Sequence, residues 1–214
     1  MITTAGSRTT ADFRHNRLLQ ALAAFYALVW IAAAIEPNYP FDWFLENILV
    51  GIAVGLLAAT YRVFPLSDLS YILIAVFLAL HTVGSHYTYS EVPLGFWLQQ
   101  ALDLSRNHYD RIVHACFGLL MAYPLREIIM RAAGIHGLWL YFLAFTFTLT
   151  FSAGYEILEW IVAEIVSPEA AYAYLGTQGD LFDAQKDTTL AATGALISLS
   201  VTAALASRRR TAPR

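Results

Sequence analysis

Residues 106–114 read RNHYDRIVH, two arginines, two histidines and an aspartate at the mouth of the apolar run CFGLLMAY. Three other stretches carry similar chemistry: HTVGSHYTY with His81 and His86, SAGYEILEW with Glu156 and Glu159, and YLGTQGDLFDAQKD with Asp180, Asp183, Lys186 and Asp187. On a helix, residues three or four apart share a face. Asp110 and His114, Glu156 and Glu159, and Asp183 and Asp187 are such pairs, and Arg111 flanks His114. Mixed histidine and carboxylate donors suit zinc, manganese or iron, whereas carboxylates alone suit magnesium or calcium. The expected metal ligands are His81, His86, His114, Glu156 and Asp183. Glu159 or Asp187 is the expected general base. His108, Asp110 and Asp180 are expected to support the ligands, and Arg106, Arg111 and Lys186 to hold an anion through charge-assisted bonds. These donors are too many for one four-coordinate ion, so some must support, carry protons or form a second site. The single cysteine, Cys116, excludes a disulfide framework and a thiolate zinc knuckle.

The elements that must position these groups are membrane spans. Of 214 residues 58% are hydrophobic and only 14% charged, a membrane composition. Six apolar segments are expected to be helical, at about 18–35, 44–61, 69–84, 112–130, 138–163 and 188–206; a helix needs about 17–25 apolar residues to cross the hydrocarbon core. The third is short and continues to about His86. The first is read as a retained span, not a signal peptide, because IEPNYPFDW follows it instead of a small-residue cleavage site. The expected fold is thus an all-α, polytopic bundle of about six transmembrane helices. Residues 1–17 form a cytoplasmic segment, 18–206 one membrane domain and 207–214 a basic cytoplasmic tail.

Six spans place both termini on one side. Ten of the thirteen basic residues then fall on that side: Arg8, Arg14, Arg17, Arg62, Arg126, Arg131, Arg208, Arg209, Arg210 and Arg214. The positive-inside rule makes it the cytoplasm. Arg106, Arg111 and Lys186 remain outside, with thirteen of the sixteen acidic residues on or near the outer face. The four polar stretches therefore converge at one outer depth of the inner membrane, where charge is costly unless it faces a cavity or a partner.

Plainer readings stand beside each of these. The histidines and carboxylates can form a hydrogen-bonded plug between helices, and the outer bases can simply balance Asp103, Asp110, Asp180 and Asp187. GTQGD is turn chemistry, and Asp183 can cap the sixth span. Tyr87, Tyr89, Trp97, Tyr109, Trp160, Tyr172 and Tyr174 read as an interfacial belt, and Gly51 to Gly55 as a small-xxx-small helix contact. His15 and His136 sit at the opposite face.

The four quoted stretches, taken in order over about residues 81–190, resemble the YjdF-type family of bacterial inner membrane proteins, and more distantly the VanZ-like membrane proteins. The resemblance implies a topology and a motif set but no reaction. Function therefore rests on the site. One reading is a metal-dependent hydrolase of lipid-linked or anionic substrates. The alternatives are proton- or cation-coupled transport or binding, and a non-catalytic structural protein. The bilayer and anionic lipid are the expected partners, with no nucleic acid.

Overall fold

The computed structural model describes residues 12–211, and every regular element among them is helical. The α-helices are α1 (Arg17–Ala33), α2 (Pro40–Thr60), α3 (Asp68–Tyr87), α4 (Pro93–Ala101), α5 (Tyr109–Ala133), α6 (Gly137–Ile165), α7 (Pro168–Leu175) and α8 (Asp183–Thr211). Arg8 and Arg214 lie outside the described residues, as do the side chains of Tyr172, Arg209 and Arg210. Local chemistry sets many of the boundaries. Asn16 and Ser67 cap α1 and α3 by accepting from Leu19 N–H and Ser70 N–H, at 3.0 and 3.3 Å. Proline opens α2 and α4, where its missing N–H costs nothing. At the end of α5, Gly134 takes φ +65°, the left-handed turn that glycine adopts without strain.

The six segments read from the sequence correspond to α1, α2, α3, α5, α6 and α8. Five of these, α2, α3, α5, α6 and α8, are long and apolar enough to cross a membrane, whereas α1 has only 17 residues. Large apolar side chains point outward along the helices, among them Leu28, Phe44, Leu56, Phe142, Phe151 and Ile197. A water-soluble chain would bury such a surface; in lipid it is already solvated. The helices α4 and α7, which fall between the apolar segments, are too short to span. They lie at the end where α3 and α6 finish and where α5 and α8 begin.

Helix α5 is the hub, packing against α3, α6 and α8, while α1 and α2 pack on α3. The α5–α8 seam is made by small residues. A Cβ on Gly118 would stand 1.8 Å from the Ala191 carbonyl oxygen, and one on Gly194 would stand 2.2 Å from that of Ala115. Gly51 and Gly55 do not make the helix contact expected of them: a Cβ on either meets nothing within 4 Å, since that face of α2 has no partner helix.

At the arginine-rich end, Glu127 of α5 ties down the start of α3. It accepts from Ser67 N–H and from the hydroxyls of Ser67 and Ser70, both at 2.6 Å, and pairs with Arg131 at 2.7 Å. Arg131 also donates to the Pro65 carbonyl and covers the Phe64 ring. Glu127→Ala leaves those donors without an acceptor, and one unsatisfied buried group costs about 1–3 kcal/mol. A lowered melting temperature in detergent is the expected result, and an unchanged one would show that the clasp is dispensable.

Candidate functional site

Three helices bring carboxylates together at the other end of the bundle. Asp110 from the first turn of α5 meets Asp183 and Asp187 from the first two turns of α8, with one carboxylate oxygen of each inside a 4.8 Å circle. Asp187 is 1% exposed, and its Oδ1 has no hydrogen-bond partner among the described residues. One turn deeper on α5, His114 Nε2 stands 3.5 Å from Asp110 Oδ1 and 3.3 Å from Glu156 Oε1 of α6. The second contact is at ion-pair distance but out of hydrogen-bond alignment, which leaves Glu156 Oε1 unpartnered. Glu159 lies beside Glu156, within reach of its carboxyl group. An acid-rich pocket with unpaired oxygens can take up a cation, a proton or an ordered water.

The bases form a rim above this cluster. Arg106, in the loop before α5, holds Asp183 with both terminal nitrogens, at 2.5 and 3.3 Å, and donates to the carbonyls of Thr177 and Gly176. Arg111 pairs with Asp180 and with Asp183, the latter at 3.2 Å, and Lys186 pairs with Asp180 at 2.5 Å. Lys186, then the Phe182 N–H and Arg111, hold the Asp180 carboxyl well below the usual aspartate range. The sign follows: what this ionised carboxylate contributes to folding is complete above the ordinary aspartate value and disappears only as pH falls through the depressed one. Asp180→Asn is therefore expected to lower the melting temperature at pH 7, with the gap to wild type closing only in strong acid. An equal melting temperature at pH 7 would contradict this. The pKa of His108 is lowered as well, by burial and then by Arg111 and Arg106.

Two residues that no sequence pattern singles out lock the rim. Asn107 is fully buried, donates to the Val92 carbonyl and accepts from Tyr109 N–H. It also exchanges two bonds with Gln178, whose φ of +49° is unusual for a residue other than glycine. Gly95 admits it, since a Cβ there would fall 1.7 Å from Asn107 Oδ1.

A second buried network adjoins the first. Tyr155 Oη donates to Glu46 Oε2 at 2.5 Å, His81 Nε2 lies 3.8 Å from the same oxygen, and Tyr89 Oη bonds His81 Nδ1 at 2.6 Å. The Tyr155 ring packs edge-on to His114, at 6.1 Å between centroids, and so joins the two networks. His81 thus belongs with Glu46, away from the aspartates. Glu46 is absent from the residues expected above, although Asp42 and Glu46 form an i,i+4 acidic pair in an apolar span like the other pairs. Tyr89 and Tyr109 are core residues and Tyr174 is buried, whereas Trp97 and Trp160 are exposed as an interfacial belt requires. His86 stands apart, bonding the Ala33 carbonyl at 2.9 Å and so tying α3 to the end of α1.

Comparison with known proteins agrees with this architecture. A family model described as "Predicted membrane protein (DUF2238)" matches residues 18–208. The inner membrane protein YjdF of Escherichia coli (strain K12) is 39% identical over 183 residues, which cover 85% of this chain and 87% of that protein. No solved structure matches. With a family match from α1 to α8 and identity at this level across both chains, this integral membrane protein belongs to the YjdF (DUF2238) family of predicted membrane proteins.

Proposed function

We propose that this protein, resident in the inner membrane like its named relative, holds a divalent cation between α5 and α8 and uses it to hydrolyse an anionic, lipid-linked ester. The observation that carries the reading is the Asp110–Asp183–Asp187 triad, with the Asp187 Oδ1 buried and unpaired and His114 and Glu156 alongside. Three carboxylates with one imidazole favour manganese or iron over zinc, which prefers nitrogen and sulfur donors. Asp187 serves here as a ligand, and Glu156 backed by Glu159 is the base. A metal held by these residues would lower the pKa of a water and so supply the nucleophile; Glu156, backed by Glu159, would take that water's proton and return it to the departing alkoxide. The Arg106 and Arg111 pairs fix Asp183, so these arginines position the ligands as well as attracting an anion.

In this reading α1 is the sixth span and both termini are cytoplasmic, following the arginines at the far end of the bundle. The short α1 is matched by local bilayer thinning. A C-terminal reporter fusion that is active only in the periplasm should stay silent; activity there would overturn this orientation.

The central test is the metal content of detergent-purified protein. One equivalent of manganese or iron is expected in the wild type. Asp187→Asn should weaken binding by about tenfold or more, at least the loss usual for the supporting shell of a metal site. A wild-type protein that is folded, metal-free and not stabilised by added Mn²⁺ would reduce the cluster to a polar plug.

A further inference from the structure

On the outer side of the α5–α8 seam lies an open groove of about 620 Å³. Its walls are His108, Arg111, Ile112 and Ala115 of the α5 side and Gln185, Lys186, Thr189 and Leu190 of α8. The volume falls within the range of ligand sites, roughly 300–1,000 Å³. The lining is ordered by depth. His108, Arg111, Gln185 and Lys186 stand at the first turns, with Ile112, Ala115, Thr189 and Leu190 about one turn further along. Among the described residues no aspartate or glutamate lines it. It is therefore basic at its mouth and mostly apolar below, in the direction of the bilayer centre.

We propose that this groove is a binding site for one anionic phospholipid of the outer leaflet, with the phosphate at Lys186 and Arg111 and the first part of an acyl chain along Ile112, Ala115 and Leu190. Charge complementarity selects the occupant. Arg106, Arg111 and Lys186 share two carboxylates, Asp180 and Asp183, so the rim carries one positive charge in excess. The remaining aspartates of the triad do not line the groove, and in the reading above they are neutralised by their own cation. Lys186 is the most exposed member: its side chain is half exposed, and Asp180 occupies only one of its three N–H donors. Free phosphate would satisfy the mouth but not the apolar wall, whereas a zwitterionic lipid would satisfy the wall but bring a second cation to the mouth. The same groove flanks the helix turn that carries Asp110 and His114, so a lipid bound there lies next to the candidate centre.

The test is native mass spectrometry of the detergent-purified full chain against phosphatidylglycerol, phosphatidylcholine and inorganic phosphate, with metal content measured on the same samples. Wild type is expected to retain phosphatidylglycerol in preference to phosphatidylcholine and to retain no phosphate. Lys186→Gln should cut that preference about fivefold, the ~1 kcal/mol that one basic residue contributes at an anionic membrane surface. Thr189→Trp, which fills the groove without touching the rim pairs, should reduce retention of both lipids. Equal retention of the two lipids by wild type would overturn the proposal, as would a preference that survives both substitutions. Retention of inorganic phosphate would make the site an anion site and not a lipid site. A phosphatidylglycerol preference in metal-free protein would support the groove while removing the metal reading, so the two failures are distinguishable.

Discussion

Replacing Gly118 by alanine should destabilise this protein, although helix propensity alone forecasts the opposite. In a helix interior, glycine is less favourable than alanine by roughly 0.5–1 kcal/mol, so an exposed substitution gains stability. At Gly118 the new methyl would stand 1.8 Å from the Ala191 carbonyl oxygen and 2.8 Å from the Ala195 nitrogen, both backbone atoms of α8. Backbone cannot rotate aside, so α5 and α8 must separate. Overpacking of a core costs about 1–3 kcal/mol where side chains can shift, and the loss here should reach or exceed that range. Gly194→Ala repeats the argument from the other helix. Gly51→Ala is the control, since its Cβ meets nothing and should leave the melting temperature unchanged or raised. Melting curves in detergent decide it, and a stabilised Gly118→Ala would show that the helices do not approach as described. The functional consequence is direct: Asp110 reaches Asp183 and Asp187 across this same seam, so its separation takes the triad apart.

The second large effect concerns Arg106 and Asp183. Both are buried, and they form a two-pronged pair in which the arginine also holds two carbonyls of the loop before α8. Removing one partner of a buried ion pair costs about 3–5 kcal/mol where the other charge is left alone; here Asp183 keeps Arg111 at 3.2 Å and Arg106 keeps Asp180 at 3.8 Å, which holds the loss to the lower end of that range. Arg106→Leu and Asp183→Asn should each produce that loss. The double variant should be destabilised by clearly less than the sum, because neither charge is then left alone; contacting groups commonly couple by about 0.5–3 kcal/mol. Arg111 is left with Asp180 in every case and keeps the rim from opening completely. Additive losses would show that Arg106 and Asp183 act independently, and no loss from Arg106→Leu would show the pair to be incidental.

Much of this was legible without coordinates. The continuous apolar segments placed α1, α2, α3, α5, α6 and α8 to within about five residues, because an apolar helix that crosses a membrane has little freedom in length or composition. The i,i+3 and i,i+4 spacings put Asp110 with His114 and Asp183 with Asp187, since helix geometry alone makes those residues neighbours. Topology then brought His114, Glu156 and the aspartates to one depth, and the structure has them in contact. Arg106, Arg111 and Lys186 were legible as bases beside this cluster, and Asp180 as one carboxylate they balance, but Asp183 was not. That Arg106 reaches Asp183 and Arg111 reaches Asp180 depends on the loops at 102–108 and 176–182, which Asn107 and Gln178 fasten together, and no local pattern encodes a bond across 71 residues.

The sequence by itself determined a polytopic helical membrane protein with most of its acidic residues and four of its six histidines gathered at one end. Those are consequences of hydrocarbon thickness, charge cost and helical period, which act on each segment alone. Tertiary structure decided which groups share a pocket. Packing sent His81 to Glu46 and Tyr89, turned His86 to the end of α1, and aimed Asp110, Asp183 and Asp187 at one another. That packing is set above all by Gly118 and Gly194 admitting the opposing backbone, while Gly51 and Gly55, the more conspicuous pair in the sequence, pack against nothing.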